Sequence, residues 1–319
     1  MSRVVMARCT EDDRVAEALD VALEPFGGLG GARGFGRKIE RGSRVLVKPN
    51  FLRAYPASAG VSPSAGLLDA VCRRLLDLGA EVRIGDSPAF GSARSVAEAT
   101  GIADIARALE IPIVEFDKPV RVRSAAPDLT LQIDREVIES DAVVNLCKLK
   151  AHQQLGMTVG VKNLFGCITG KRKPVWHLRL GDRANDFGEM LIAVYRAVAP
   201  VLSICDAVYG MDGNGPAKGR HRPVGVLLAA EDAVAMDVVA AHLVGHPPET
   251  LRVLAAAETL GEGAWRLDRI ELLGDVTLDD ARVHDWQPPE GAPIFFNPLR
   301  IVASTAKQIA ILAGERGGA

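Results

Sequence analysis

The chain has 319 residues, 48% of them apolar and 24% charged, with a net charge of −2. That length and apolar content suffice for one large domain or two lobes, and the near-neutral charge argues against a general nucleic-acid binder, whose footprint is basic. The opening MSRVVMARCTEDDRV lacks a signal-peptide core, and no apolar run reaches the length of a membrane span, so neither secretion nor a membrane is expected. Cys9, Cys72, Cys147, Cys167 and Cys205 include no C-x-x-C pair, so no iron–sulfur cluster or zinc ribbon is expected, and a reducing cytoplasm is the natural setting.

In chain order, Val4–Cys9 reads as a strand and Val15–Leu23 as a helix. The glycine-rich stretch from Pro25 to Lys38 matches neither phosphate-loop spacing and reads as a mobile connection. Arg44–Lys48 is a short strand ending in Pro49-Asn50. An amphipathic helix is expected over Ser64–Leu78, closed by Gly79. The strand EVRIGDSP ends at Gly85-Asp86-Ser87, and a helix follows from about Ser95. Further strands are expected at 111–116 and 141–146. The second half offers a helix over Asp186–Ala199, strands at 201–208 and PVGVLLAAE, and a helix in DAVAMDVVAAHLVG. The tail Pro293–Gly314 is amphipathic, read as a docked helix or a partner surface. Strands alternating with helices predict an α/β fold with mostly parallel sheets, divided into lobes 1–142 and 143–319 around a cleft.

Ligands in such folds bind at the carboxyl ends of strands. Four polar strand ends qualify: Lys48-Pro49-Asn50, Asp86-Ser87, Asn145 to His152, and Asp206 through Pro216. The third opens NLCKLKAHQQLGMTVGVKNLFGCITGK, four lysines and a histidine without an acidic residue. If LCKLKAH is extended, Lys148, Lys150 and His152 share a face, with Leu149 and Ala151 on the other. Such an array is unstable unless something anionic lies opposite, and the missing counter-charge is assigned to a ligand. Lys162 and Asn163 interrupt an apolar stretch, where a lysine needs a depressed pKa or a bound anion. Lys171, Arg172 and Lys173, before His177, read as an exposed loop, as a lid over an anionic substrate, or as a local nucleic-acid contact. Asp206 and Asp212 are the candidates to orient a partner or a divalent metal. Asp237, inside an apolar helix, needs a helix terminus or a lysine as partner. Cys147 lies among lysines that would lower its pKa.

The motifs VLVKPNF, GVSPSAGLLDAV, IGDSP, the lysine stretch and DAVYGMDGNGPAKG, in this order from about Arg44 to Gly245, resemble the domain of unknown function 362. Cys147 replaces the proline more usual in N-L-P-K-x-K-x-H. Similar members often carry a ferredoxin-type module or sit beside redox proteins, which keeps open a redox role with an exchangeable flavin or nicotinamide, or with an iron–sulfur partner. The resemblance also implies a fold distantly similar to nickel-dependent lactate racemase. The motifs do not match that enzyme residue for residue, and no nickel cofactor is expected. The leading expectation is an acid–base isomerase, racemase or lyase acting on a small anionic metabolite. Its catalytic groups are Lys150, His152 and Lys162. Substrate contacts are expected from Lys48, Asn50, Asp86, Ser87, Lys148, Asn163, Lys171, His177 and Asn214. A non-catalytic anion-binding protein is the remaining alternative, and a homodimer is compatible with all three.

Overall fold

The computed structural model describes residues 1–169, 173–181 and 185–291. Lys171, Arg172 and the predicted tail element at Pro293–Gly314 lie outside them. The strands are β1 (Ser2–Arg8), β2 (Arg44–Pro49), β3 (Glu81–Asp86), β4 (Ile113–Glu115), β5 (Pro119–Ala125), β6 (Asp128–Asp134), β7 (Ala142–His152), β8 (Gly156–Thr158), β9 (Leu202–Asp212), β10 (Arg220–Ala230) and β11 (Ile270–Gly274). The helices are α1 (Val15–Leu23), α2 (Ala65–Asp77), α3 (Ala93–Thr100), α4 (Ile102–Ala108), α5 (Arg135–Ile138), α6 (Gly160–Asn163), α7 (Lys173–Leu180), α8 (Asp186–Val198), α9 (Ala233–Leu243), α10 (Arg252–Leu260) and α11 (Leu278–Ala281).

The fold is α/β with a mostly parallel central sheet, in the order β11-β1-β10-β9-β7-β2-β3-β4, and β8 pairs with β7. Only β10, against β1 and β9, and β8, against β7, run antiparallel in it. β5 and β6 form a separate hairpin. Side chains alternate across the pleat, so each strand feeds two cores. Val143, Cys147, Leu149 and Ala151 join the core that contains the apolar residues of α8 and α9. Ala142, Val144 and Leu146 join the core built on α1 and α2. Burial on both faces explains the near-continuous apolar runs of β7 and β9.

Local signals fix the ends of elements near the sheet's carboxyl edge. Ser64 caps α2 by accepting from Leu67 N, and Gly79 leaves the helix in the left-handed region at φ 77°. Ser92 and Ser95 form a reciprocal capping box on α3.

Two expectations change. The glycine-rich stretch is not a loose connection but a run of short 3-10 turns tied down at two points. Gly34 N donates to Val201 O at 3.0 Å and Arg33 N to Glu231 Oε1 at 2.6 Å. The strand expected at 141–146 runs on to His152, because β8 folds back to pair with Lys150, Ala151 and His152. Among the described residues, no helix is long and apolar enough to cross a membrane.

Candidate functional site

Three neighbouring parallel strands bring the lysines together. β2 delivers Lys48, β7 delivers Lys148 and Lys150, and β9 places Asp206 in register with Lys148. The extended run does put Leu149 and Ala151 into one core, leaving Lys148, Lys150 and His152 on the opposite face. β3 ends at Asp86, and α6 supplies Lys162 and Asn163.

The buried cations divide into two kinds. Lys48 Nζ lies 2.8 Å from Asp86 Oδ1, both groups essentially without solvent exposure. Asp86 also accepts from Phe51 N and Ser87 N. Lys148 Nζ lies 2.9 Å from Asp206 Oδ1, and Asp206 takes two further amides, from Ser64 and Val208. The counter-charges absent from the lysine stretch are therefore carried, for these two, by distant strands of the same chain.

Lys150 differs. It is 1% exposed, and its ammonium donates to Asn50 Oδ1 and to Val61 O (2.6 Å), both neutral. No carboxylate among the described residues pairs with it. Burial, reinforced by Lys148 and Lys162, pulls its pKa down to about 7. Lys162 is half-buried, its Nζ 4.8 Å from the centre of the Phe165 ring. Burial, then repulsion from Lys173 and Lys48, lowers it to about 7 as well. His152 accepts from Gln154 N through Nδ1 at 3.2 Å. Burial, followed by Lys162, His177 and Lys150, holds its pKa well below the usual imidazole value, so the ring is neutral at pH 7.

Amides knit these groups together. Asn163 Oδ1 accepts from Asn50 Nδ2 at 2.7 Å and from Lys48 Nζ at 3.3 Å. Its Nδ2 donates to Asn145 Oδ1 at 2.8 Å, and Asn145 Nδ2 reaches Gly160 O and Ser203 Oγ. Asp237 resolves as a helix-terminus partner, accepting from Gly160 N and Val161 N at the start of α6. Gly166 is required by close approach. A Cβ there would lie 2.0 Å from Asp86 Oδ1 and 2.5 Å from Lys48 Nζ.

Lys48, Asn50, Asp86, Lys150 and Asn163 thus form one hydrogen-bonded network; the Lys148–Asp206 pair stands beside it on β7 and β9, and Lys162 and His152 are coupled to it through charge repulsion. Ser87 joins through its backbone, its carbonyl accepting from Lys173 Nζ. His177 packs against Phe165 and Phe187 on the Lys162 side. Asn214 is engaged elsewhere, accepting from Glu290 N. Asp212 is clamped by Arg220 at 3.0 Å and Arg222 at 3.5 Å and also accepts from Gln287 N. With Asp206 and Asp212 both committed to cationic side chains, neither is disposed toward a divalent metal. No group of three His, Cys, Asp or Glu with ligand geometry occurs among the described residues.

The expectation for Cys147 is reversed. Its side chain faces away from the lysines into the apolar core beside Cys205, and burial raises its pKa well above the ordinary thiol value. Sequence reasoning did not select Lys173, Ser62 or Thr158. For Lys173 the basic run before His177 was a signal, whereas nothing distinguishes the two hydroxyl residues until the strands are paired.

The model of the family described as "Domain of unknown function (DUF362)" matches residues 45–242. A thylakoid-associated protein of Synechocystis sp. is 39% identical over 295 residues, covering 92% of this chain and 89% of that protein. Among solved structures, the lactate racemase apoprotein from Thermoanaerobacterium thermosaccharolyticum aligns with a TM-score of 0.48 and 13% identity. The alignment covers 74% of this chain and 55% of that one.

Proposed function

The chain belongs to the DUF362 family, and we propose that it is an enzyme that binds a small anionic metabolite at Lys150 and Lys162 and moves a proton on it. One observation supports this above all. Lys150 is fully buried against neutral oxygens, while Lys48 and Lys148 beside it each have a carboxylate. A buried cation without a counter-ion is destabilising, and an anionic ligand would supply the missing charge.

The proton chemistry rests on the pKa values. With Lys150 and Lys162 both near 7, at neutral pH one can be charged while the other is neutral. The charged lysine polarises a carboxylate or carbonyl, acidifying the adjacent C–H bond. A neutral lysine, or neutral His152, accepts the proton. Asn50 accepts from Lys150 and is itself held by Asn163. Isomerisation, racemisation and elimination share this first step.

The test is hydrogen exchange into small 2-hydroxy, 2-oxo and 2-amino acids in D2O, followed by NMR, with Lys150→Met and Lys162→Met as controls. Solvent deuterium at the carbon beside the carboxylate, lost in both variants, is the expected result. Ligand-dependent stabilisation without exchange would leave an anion-binding protein rather than an enzyme. Neither effect would end the proposal. The reading keeps a cytoplasmic setting, and cell fractionation checks it against the thylakoid association named for the cyanobacterial relative.

A further inference from the structure

The network holds more positive charge than the proposed function uses. Lys48 and Lys148 are neutralised by Asp86 and Asp206. Lys150, Lys162 and Lys173 have no carboxylate pairing among the described residues. Lys173, from the start of α7, donates to Ser87 O beside the Lys48–Asp86 pair. It also repels Lys162, which in turn repels Lys150. The three unpaired lysines are therefore one electrostatic unit, and when all three are protonated a single negative charge leaves two of them uncompensated.

Two buried hydroxyls point the same way. Ser62 Oγ and Thr158 Oγ1 have no hydrogen-bond partner among the described residues, although Ser62 is 9% and Thr158 4% exposed. Ser62 follows Val61, whose carbonyl receives Lys150. Thr158 stands directly across the β7–β8 pair from Lys150, so its side chain leaves the sheet on the same face. A buried hydroxyl left unsatisfied is costly, and both lie beside the most deeply buried of the unpaired lysines.

Building on the proposed anion site, we infer that the ligand is a doubly charged anion, such as a dicarboxylate or a phosphate monoester. It is bound by Lys150 with the Ser62 and Thr158 hydroxyls, and by Lys162 with Lys173. Lys173 is then the residue that selects for the second charge. The depressed pKa values, about 7 for Lys150 and Lys162 and about 8 for Lys173, add a signature: a dianion draws protons onto them, and neutral His152 is then the proton acceptor. At pH 7.5 this is an uptake of about one to two protons per ligand.

The experiment is calorimetric titration of the full chain at pH 7.5 and constant ionic strength with acetate, succinate and inorganic phosphate, in two buffers of different ionisation enthalpy. Succinate or phosphate should bind at least tenfold more tightly than acetate, with proton uptake, and whichever binds distinguishes the dicarboxylate from the phosphate. Lys173→Met should collapse the dianion-to-acetate ratio several-fold toward one, and Ser62→Ala should weaken the tighter probe. Equal affinity for acetate and both dianions in the wild-type protein overturns the inference while leaving the anion site standing. So does a Lys173→Met variant that weakens all three probes alike. Binding of every probe that is indifferent to Lys150→Met removes the anion site and the inference with it.

Discussion

Lys148 and Lys150 sit two residues apart on one face of β7, both buried, yet their surroundings are opposite in kind. Lys148 meets Asp206 across the neighbouring strand, and that carboxylate is itself fixed by two amides. Lys150 meets an amide oxygen and a main-chain carbonyl. The register of β7 on β9 slips between them, so that Lys148 faces Asp206 whereas Lys150 faces Met211. The neighbouring strand thus offers a carboxylate to the first lysine and only an apolar side chain to the second. The first has a fixed counter-ion within the chain and the second has none among the described residues.

The sharpest way to break this contrast is to remove the counter-ion of the neutralised lysine. Asp206→Asn strands the Lys148 ammonium in the interior, and a loss of about 3–5 kcal/mol is expected in urea unfolding. Gly166→Ala attacks the other closed pair sterically, pushing a methyl group into Asp86 and Lys48. A loss of about 1–3 kcal/mol is expected by the same measurement. Lys150→Met should behave in the opposite sense, leaving stability level or raising it by about 1 kcal/mol, because it deletes a buried cation that no carboxylate compensates.

That last effect depends on pH with a definite sign. The folded pKa of Lys150 is about 7, well below the ordinary lysine value of about 10.4. Between these values the unfolded chain binds the proton that the folded chain releases, so wild-type stability rises with pH across that window. The advantage of Lys150→Met is therefore greatest below pH 7 and fades toward pH 10. Unfolding midpoints of both proteins at pH 6, 8 and 9.5 check it, and a gap independent of pH would place the Lys150 ammonium in solvent-like surroundings.

Much of the fold was legible in the sequence because its signals are local. Helix α1 matches its apolar spacing residue for residue, and α2 is bounded by Ser64 and Gly79 as their backbone preferences require. The β5–β6 hairpin was missed. Its residues alternate between half-buried and exposed over most of their length, so no continuous apolar run announces it. The antiparallel placement of β10 was equally invisible, since apolar runs in parallel and antiparallel strands look alike.

The site divides along the same line. Period-two alternation alone set Lys148 and Lys150 on one face, and an apolar context alone marked Lys162 as an unusual lysine. Which cations are compensated was decided only by tertiary structure. Asp86 and Asp206 lie tens of residues from their lysines, and Ser62 and Thr158 acquire meaning only beside Lys150. Charge is a property of residues and can be counted along the chain, whereas neutralisation depends on distances of a few ångströms, which strand pairing and register create.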